Sequence, residues 1–386
     1  MESAELPQSP SPIVRGPKRT IPPLVRAVAV IALLYLFLVG VKLLESGVES
    51  LGSGTAGGLF DGITNPLAAL FVGILATVLV QSSSVTTSTI VGLVAAGQLP
   101  LETAVPMIMG ANIGTTITNT IVSLAHARKS EEFRLAFSAA TMHDFFNLIA
   151  VAILLPLEIA TGFLQKTATW FAELLPSGAD ATFNSPIKGA VKWGVGLIKP
   201  VIETITSSST TFGVAFILLG IAIIFITLML ITKNMKVLIA ARIETSINVA
   251  LAKSGMVGMM VGILVTVAVQ SSSITTSILV PLVASGILLV RNAYPITLGA
   301  NIGTTVTALL AALATGVVGG MTIALVHLLF NIVGILLLYP IPKIRYLPVT
   351  IAEKLATLAV ARKWLAVAYV GIVFIAIPIV GILILD

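Results

Sequence analysis

The chain has no cysteine among its 386 residues. Disulfide bonds, thiolate metal sites, iron–sulfur clusters and a cysteine nucleophile are therefore excluded. Charged residues are also scarce, because they make up 10% of the chain, whereas soluble domains contain roughly 25%. Hydrophobic residues account for 57%, and the mean hydropathy is +1.07. This balance indicates an integral membrane protein that lies in a lipid bilayer.

Histidine is rare as well, and the three histidines at positions 126, 143 and 327 have no zinc-like spacing. The net charge is +6. Because Lys and Arg cluster beside apolar stretches, as the positive-inside rule expects, this charge gives no reason to expect a nucleic-acid partner.

The N-terminal segment is rich in proline and basic residues. It contains six prolines together with Arg15, Lys18 and Arg19, so we expect residues 1–23 to form a disordered cytosolic tail. The apolar run over 24–44 has about 20 residues, which is enough to cross a bilayer and longer than the apolar core of a signal peptide. This run is predicted to be the first span, with the N-terminus in the cytoplasm.

One polar string occurs twice in the chain. The string QSSSVTTS at 81–88 recurs 189 residues later as QSSSITTS at 270–277, and the string GANIGTT follows each copy. Residues 73–119 align without a gap on 262–308, with 29 identities in 47 positions. Such polarity inside a membrane protein indicates a function.

Each polar string leads into an apolar run that is too short to cross the bilayer. The runs at 85–97 and 274–286 have about 13 residues, whereas a transmembrane helix needs roughly 17 to 25. We interpret each run as the second arm of a re-entrant helical hairpin. The GANIGTT strings at 110–116 and 299–305 are predicted to break a transmembrane helix in each copy, where irregular backbone must be buried in protein or line a wet cavity.

The charges that precede the two copies differ in sign. Residues 43–65 carry three acidic and no basic side chains, while 233–253 carry four basic side chains and one acidic one. Entry from opposite sides indicates inverted-topology repeats, which are typical of secondary transporters. The stretch 341–363 is also basic, and an amphipathic interfacial helix there would explain its charge without deciding the side of the membrane.

The predicted fold is therefore an all-α membrane protein with two inverted-topology repeats, each with a re-entrant helical hairpin and a broken transmembrane helix. Its parts are the tail over 1–23, the first transmembrane repeat over 24–157, an inter-repeat linker over 158–212, the second transmembrane repeat over 213–340, and an interfacial segment with the last transmembrane helix over 341–386. A third polar run at 206–211 lacks the preceding Gln and the following GANIGTT, so we interpret it as a helix cap or a loop.

The repeated strings supply neutral donors and oxygen atoms. Hydroxyls, amides and freed backbone N–H groups at helix N-termini can bind an anion without a fixed cation. The same hydroxyl oxygens and unwound carbonyls can coordinate Na⁺. The alternative is that Ser, Thr and Gly only allow close helix packing in lipid, but the recurrence of the Gln, the Asn and the paired Thr in both copies favours binding.

A second element is duplicated after each block. The string HDFFN at 143–147 corresponds to HLLFN at 327–331. Its only acid, Asp144, lies near the middle of an apolar segment, where a charged side chain costs roughly 2.5 to 3.5 kcal/mol. Asp144 either has a structural role, paired with His143 or capping a helix end, or forms an ion site with Asn147, one helical turn away on the same face. We favour the ion site.

Together these residues resemble the type II sodium-dependent phosphate cotransporters. The resemblance covers about 66–342 and runs through QSSSVTTS, PMIMGANIGTTITNTIV, MHDFFN, QSSSITTS, AYPITLGANIGTTVTALLAAL and HLLFNIVGILLLYPIP. It implies a symporter that imports inorganic phosphate by alternating access, with Na⁺ as the coupling ion and no other cofactor. Members of that family with Asp at the position of Asp144 are electrogenic, so the resemblance also implies net movement of charge.

The resemblance assigns roles to individual residues in both copies. The implied phosphate site contains Gln81, Ser82, Ser83, Ser84, Asn112, Thr115, Gln270, Ser271, Ser272, Ser273, Asn301 and Thr304. One implied Na⁺ site contains Gln270, Ser271, Thr304 and Thr307, and another contains Asp144 and Asn147.

The chain departs from the animal members of that family in three ways. It lacks the cysteines of their disulfide-bearing extracellular loop, its linker is short, and it ends at Asp386, right after the last apolar run. We expect a minimal, bacterial transporter core in the cell membrane, for which no protein partner is implied.

Two other classes of function compete with phosphate symport. A symporter of another oxyanion, such as sulfate or a small carboxylate, fits the same neutral donors, because no Arg or Lys lies in the repeated strings. The other class is a membrane enzyme or a channel. The serines here lack the GxSxG-type turn of a nucleophile, and two separate hairpin tips suit alternating access better than a continuous pore. We therefore expect a transporter and not an enzyme.

Overall fold

The computed structural model describes residues 22–51, 63–174, 186–204, 206, 208–251 and 255–385. Within these ranges the regular secondary structure is helical throughout. Most of the tail predicted over 1–23 lies outside the described residues, and Pro23 already begins the first helix.

The helices fall into two similar series with a connection between them. The first series is α1 (Pro23–Leu51), α2 (Pro66–Val80), α3 (Ser83–Ala95), α4 (Leu101–Gly114), α5 (Ile117–Leu124) and α6 (Ser130–Thr161). The connection contains α7 (Phe163–Leu174) and α8 (Pro186–Glu203). The second series is α9 (Ser209–Leu251), α10 (Gly255–Val269), α11 (Ser272–Ala284), α12 (Val290–Thr315) and α13 (Val318–Leu338). The chain continues through α14 (Leu347–Ala361), α15 (Trp364–Gly371), a π-helical turn (Ile372–Ala376) and α16 (Ile377–Leu385).

Six segments of the described chain are long and apolar enough to cross a membrane. They are Pro23–Leu51, Ser130–Thr161, Thr210–Met235, Val290–Thr315, Val318–Leu338 and Trp364–Leu385. The protein is thus an all-helical, multi-pass membrane protein, as its composition predicts. The apolar helices α2, α3, α10 and α11 have only 13 to 15 residues, fewer than a span requires.

A sharp turn joins α2 to α3. Gln81 adopts the left-handed conformation with φ of 55° and ends α2, while the Ser82 hydroxyl accepts a hydrogen bond from Val85 N and starts α3. The backbone N–H of Gln81 donates to Thr77 O at 2.8 Å, which closes the last turn of α2.

The same turn joins α10 to α11. Gln270 has φ of 57°, and Ser271 accepts from Ile274 N. Gln81 and Gln270 are the only non-glycine residues with positive φ in the part of the chain that the structure describes. The duplicated sequence therefore folds twice into one helix-turn-helix unit.

Glycines allow each unit to pack closely on the helix that carries GANIGTT. A Cβ at Gly73 or Gly110 would collide with facing backbone, so α2 and α4 lie in close contact. Gly262 and Gly299 bring α10 and α12 together in the same way. Small residues at such crossings are the usual means of helix association in membranes.

The two GANIGTT strings fold differently. The first is interrupted as predicted, because α4 ends at Gly114 and α5 begins at Ile117. In the second copy the prediction is wrong, because α12 runs unbroken through 299–305. The glycines of this string provide close packing without unwinding the helix, and the Thr304 hydroxyl donates to Ala300 O of the same helix at 3.0 Å.

The third polar run caps a helix. Helix α9 begins at Ser209, and the Ser208 hydroxyl accepts a hydrogen bond from Thr211 N at 3.4 Å. One of the two interpretations of the run at 206–211, a helix cap, is thus confirmed.

Helix α14 lies within the segment predicted to be interfacial. Ala356 and Ala359 are fully buried on it, and they pack against Phe133 and Phe137 of α6. The small side chains let α14 lie along the first turns of α6.

Candidate functional site

The two turns line one cavity. The first tip, residues 81–84, and the second tip, residues 270–273, enclose a volume of about 230 Å³. Eight of the twelve residues predicted for the phosphate site therefore meet, although the two sets lie 189 residues apart. No Lys or Arg is found among the described residues that line this cavity.

Helix α9 supplies the remaining wall. Phe225, Leu228, Met229 and Thr232 line the cavity beside the tips. The Thr232 hydroxyl also donates to Val269 O, next to the second tip, at 3.4 Å. This wall was not predictable from the sequence, because these residues lie in a long apolar run.

Each glutamine closes its own helix end with its side chain. Gln81 Nε2 donates to Val78 O, and Gln270 Nε2 donates to Val267 O, both at 2.6 Å. The helices α3 and α11 then begin at the cavity wall with Ser82 and the equivalent Ser271 as caps. Two helix N-termini, with the positive ends of their dipoles, thus lie at one cavity, and such ends favour an anion.

A threonine hydroxyl contacts each glutamine from the neighbouring helix. Thr307 Oγ1 donates to Gln270 Oε1 at 2.9 Å, so the structure brings together two of the predicted Na⁺ ligands. Thr118 Oγ1 donates to Gln81 Oε1 at 3.3 Å. Thr118 was not among the predicted site residues, although its position 189 residues before Thr307 was a usable signal.

Four residues predicted for the phosphate site do not line the cavity between the tips. Thr115 and Thr304 donate their hydroxyls to Ala111 O and Ala300 O of their own helices, at 2.8 and 3.0 Å. Asn112 and Asn301 lie in a different buried network. Their role in binding stays a prediction.

This buried network crosses between the two series of helices. His143 Nε2 lies 2.5 Å from Asn301 Oδ1, and His327 Nε2 lies 3.4 Å from Asn112 Oδ1. Each histidine therefore contacts the asparagine of the other copy. The element HDFFN of the first copy thus contacts the GANIGTT helix of the second copy, and HLLFN of the second copy contacts that of the first.

The two halves of the network are unequal. Asn147 Oδ1 accepts from Asn301 Nδ2 at 2.9 Å. In the equivalent pair of the other half, Asn331 Oδ1 and Asn112 Nδ2 are buried and have no hydrogen-bond partner. The two asparagines are thus hydrogen-bonded to each other in one half of the network and not in the other.

Asp144 is fully buried, and its hydrogen-bond partners differ from those of Asn147, which lies one helical turn away on the same helix. Its Oδ2 accepts from Thr120 Oγ1 at 3.4 Å and from Tyr369 OH at 2.9 Å, while Oδ1 has no hydrogen-bond partner. His143 is directed to Asn301, so no pair of His143 with Asp144 is present among the described contacts. Tyr369 was not among the predicted site residues, because a single tyrosine in an apolar span forms no recognisable sequence pattern.

A further contact between the copies has no counterpart. Asn119 Nδ2 donates to Thr276 Oγ1 at 2.7 Å, and Ser277 Oγ donates to Asn119 Oδ1 at 3.0 Å. These bonds tie α5 of the first series to α11 of the second. The residue equivalent to Asn119 is Ala308, and the hydroxyl of Ser88, equivalent to Ser277, is buried without a partner.

The same substitution at these two equivalent serines should therefore have different effects. We expect Ser277→Ala to lower the free energy of unfolding by about 1 to 3 kcal/mol, because Asn119 Oδ1 is left unsatisfied. Ser88→Ala removes a hydroxyl that has no partner and should leave stability unchanged. Thermal unfolding of the purified chain in detergent measures both variants, and equal shifts would contradict the bridging role of Asn119.

Comparison with known proteins identifies the family of the chain. The model of the Na⁺/Pi-cotransporter family matches residues 36–171 and 223–379. The sodium-dependent phosphate transport protein 2A of Mus musculus is 35% identical over 92% of this chain and 67% of its own length. The corresponding 2A protein of Oryctolagus cuniculus is 36% identical over 94% of this chain and 67% of its own length, and protein 2B of Homo sapiens is 33% identical over 92% and 64%. No solved structure matches the chain significantly. Since the family model covers most of its residues, the chain belongs to the Na⁺/Pi-cotransporter family.

Proposed function

We propose that the protein is a secondary active symporter that imports inorganic phosphate together with Na⁺. The observation that carries this proposal is the cavity between the two Gln-Ser-Ser-Ser tips, in a chain whose relatives are named sodium-dependent phosphate transport proteins.

Phosphate would bind between the tips. The hydroxyls of Ser83, Ser84, Ser272 and Ser273, with the first N–H groups of α3 and α11, form a set of neutral donors around the cavity. Hydrogen bonds from neutral groups to an ionised oxyanion are stronger than those between neutral partners. The helix dipoles add to this attraction.

Na⁺ would bind at oxygen atoms beside the same tips. Gln270 Oε1 and Thr307 Oγ1 already lie 2.9 Å apart, and Ser271 is next to Gln270 at the turn. Thr304 lies one helical turn before Thr307 on α12. Amide, hydroxyl and carbonyl oxygens are suitable ligands for a hard monovalent cation.

The two similar series of helices would be inverted repeats that work by alternating access. The first would cover residues 24–157 and the second 213–340, with a linker over 158–212 and the final segment over 341–386. The short arms α2 with α3, and α10 with α11, would form re-entrant hairpins. The unequal hydrogen bonding in the two halves of the His–Asn network supports such a scheme. In alternating access, the two inverted repeats exchange conformations, so equivalent contacts differ between the repeats in both the inward-facing and the outward-facing state. The site would lie in the cell membrane, with the N-terminus in the cytoplasm.

Asp144 would supply a further Na⁺ site and make transport electrogenic. Its Oδ1 has no partner, and a buried carboxylate in a membrane is costly unless a cation or donors stabilise it. Asn147 would belong to the same ion path, although in this structure it bonds Asn112 O at 2.9 Å and shares no partner with Asp144.

Uptake of radiolabelled phosphate into proteoliposomes tests the proposed function directly. We expect accumulation with an inward Na⁺ gradient and only equilibration without one. An excess of sulfate should not compete with phosphate. Equal uptake with and without the gradient would contradict Na⁺ coupling, and strong competitive inhibition by sulfate would contradict selectivity for phosphate over other oxyanions.

Removing one hydroxyl from either tip should weaken phosphate binding. We expect Ser83→Ala and Ser272→Ala each to raise the half-saturating phosphate concentration, because losing a hydrogen bond to a charged group costs roughly 1.5 to 3 kcal/mol. Ser88→Ala is the matched control, since its hydroxyl is buried without a partner. A folded tip variant with unchanged half-saturation would show that the anion does not contact that tip.

Replacing Asp144 should abolish the voltage dependence of uptake. With divalent phosphate and three Na⁺, one net charge would move inward, so a potential of 100 mV would contribute roughly 2.3 kcal/mol per cycle. We expect Asp144→Gly to keep Na⁺-dependent uptake but to lose its response to a potassium-diffusion potential. Wild-type uptake that ignores the potential, or a variant as voltage-sensitive as the wild type, would show that Asp144 is structural.

A further inference from the structure

Tyr369 contacts Asp144 from a helix that lies outside both duplicated stretches. It belongs to α15, the beginning of the last candidate span, and its hydroxyl donates to Asp144 Oδ2 at 2.9 Å. The other hydrogen bond to the same oxygen comes from Thr120 of α5 and is longer, at 3.4 Å. Tyr369 is thus the closer of these two donors, and the Thr116 side chain is a further hydrogen-bonding neighbour of the carboxyl group.

Aromatic packing fixes the position of the Tyr369 ring. Phe137 and Phe374 meet it edge-on, with centroid distances of 6.3 and 6.1 Å, and Phe145 lies tilted at 6.0 Å. Phe374 belongs to the π-helical turn Ile372–Ala376, and such turns occur often at functional sites. These rings pack around Tyr369 in the position from which its hydroxyl contacts Asp144.

The two carboxylate oxygens of Asp144 differ in their hydrogen bonding. Asp144 is fully buried, Oδ2 accepts two hydrogen bonds, and Oδ1 has none. None of the ion pairs within the described ranges includes Asp144. Its neighbours in contact are neutral donors, which orient the group without neutralising its charge.

We infer that Tyr369 is a positioning residue for a Na⁺ site at Asp144: its hydroxyl holds Oδ2 and leaves Oδ1 as the ligand for the ion. This inference rests on the proposed function for the identity of the ion. Its structural basis is separate, because no residue of the tip cavity takes part in it.

The chain offers a matched control for the hydroxyl of Tyr369. Tyr294 is fully buried, it also lies among aromatic rings, and its hydroxyl has no hydrogen-bond partner. Tyr294→Phe therefore removes the same atom without breaking a hydrogen bond. Any effect of Tyr369→Phe beyond that of Tyr294→Phe reports the contact with Asp144.

Binding of radioactive ²²Na⁺ to the purified full chain in detergent tests the inference without any transport. The relevant signal is the component of binding that Asp144→Asn abolishes. We expect Tyr369→Phe to weaken this component at least tenfold, which corresponds to about 1.4 kcal/mol. Tyr294→Phe should leave it within twofold of the wild type.

A double variant separates positioning from a general loss of structure. In the Asp144→Asn background, adding Tyr369→Phe should change the remaining Na⁺ binding less than twofold. An equal loss in both backgrounds would show that Tyr369 only supports the fold. If Tyr369→Phe does not fold, Phe374→Leu takes its place, because it loosens the ring and keeps the hydroxyl, and unchanged Na⁺ binding in that variant would overturn the inference.

The two proposals fail in different ways. Absence of Na⁺-driven phosphate uptake by the wild type would remove the proposed function, while the binding measurement would still decide the role of Tyr369. A wild type with no Na⁺ binding that depends on Asp144 would overturn the inference, even if phosphate uptake is driven by Na⁺ at the tips.

Discussion

A chain that reverses direction among apolar helices must find partners for the backbone groups it frees, because lipid offers none. In the two glutamine turns, side chains of the turn itself form hydrogen bonds with these backbone groups. The left-handed Gln81 and Gln270 donate their side-chain amides back to the preceding helix, and the serines that follow cap the next helix. The cavity, the two helix N-termini at its wall and the Gln–Thr contacts all depend on this arrangement.

The two copies have the same residues at the tips and differ at residues that form hydrogen bonds between the copies or with the last helices. Asn119, which bonds α11, corresponds to Ala308, and Asp144 corresponds to Leu328. Asn119 and Asp144 thus occur in the first copy alone. The cavity is therefore two-sided, whereas the buried acid and the bridging asparagine are each present in one copy.

The sequence predicted local elements of the fold better than it predicted the contacts between distant elements. Repetition at a fixed offset indicated both turns and the short arms, and the family resemblance implied that the two tips share one site. It also predicted a second helix break that is wrong, because Gly299 serves close packing in α12. The cavity wall formed by α9 and the contact of the Tyr369 hydroxyl with Asp144 were not predictable. In an apolar span, the sequence does not distinguish Phe225 or Tyr369 from a lipid-facing or core residue. Helix packing determines which groups these side chains contact.

The tip cavity contains no permanent positive charge among its described lining residues. An anion held only by hydroxyls, amides and helix ends keeps most of its charge uncompensated, and that is costly away from water. Cations that enter with the anion must then complete the neutralisation. Once the cations have left, the cavity would bind the anion weakly, and the transporter would return without substrate. The absence of Lys and Arg from the cavity wall would thus prevent transport of the substrate back out.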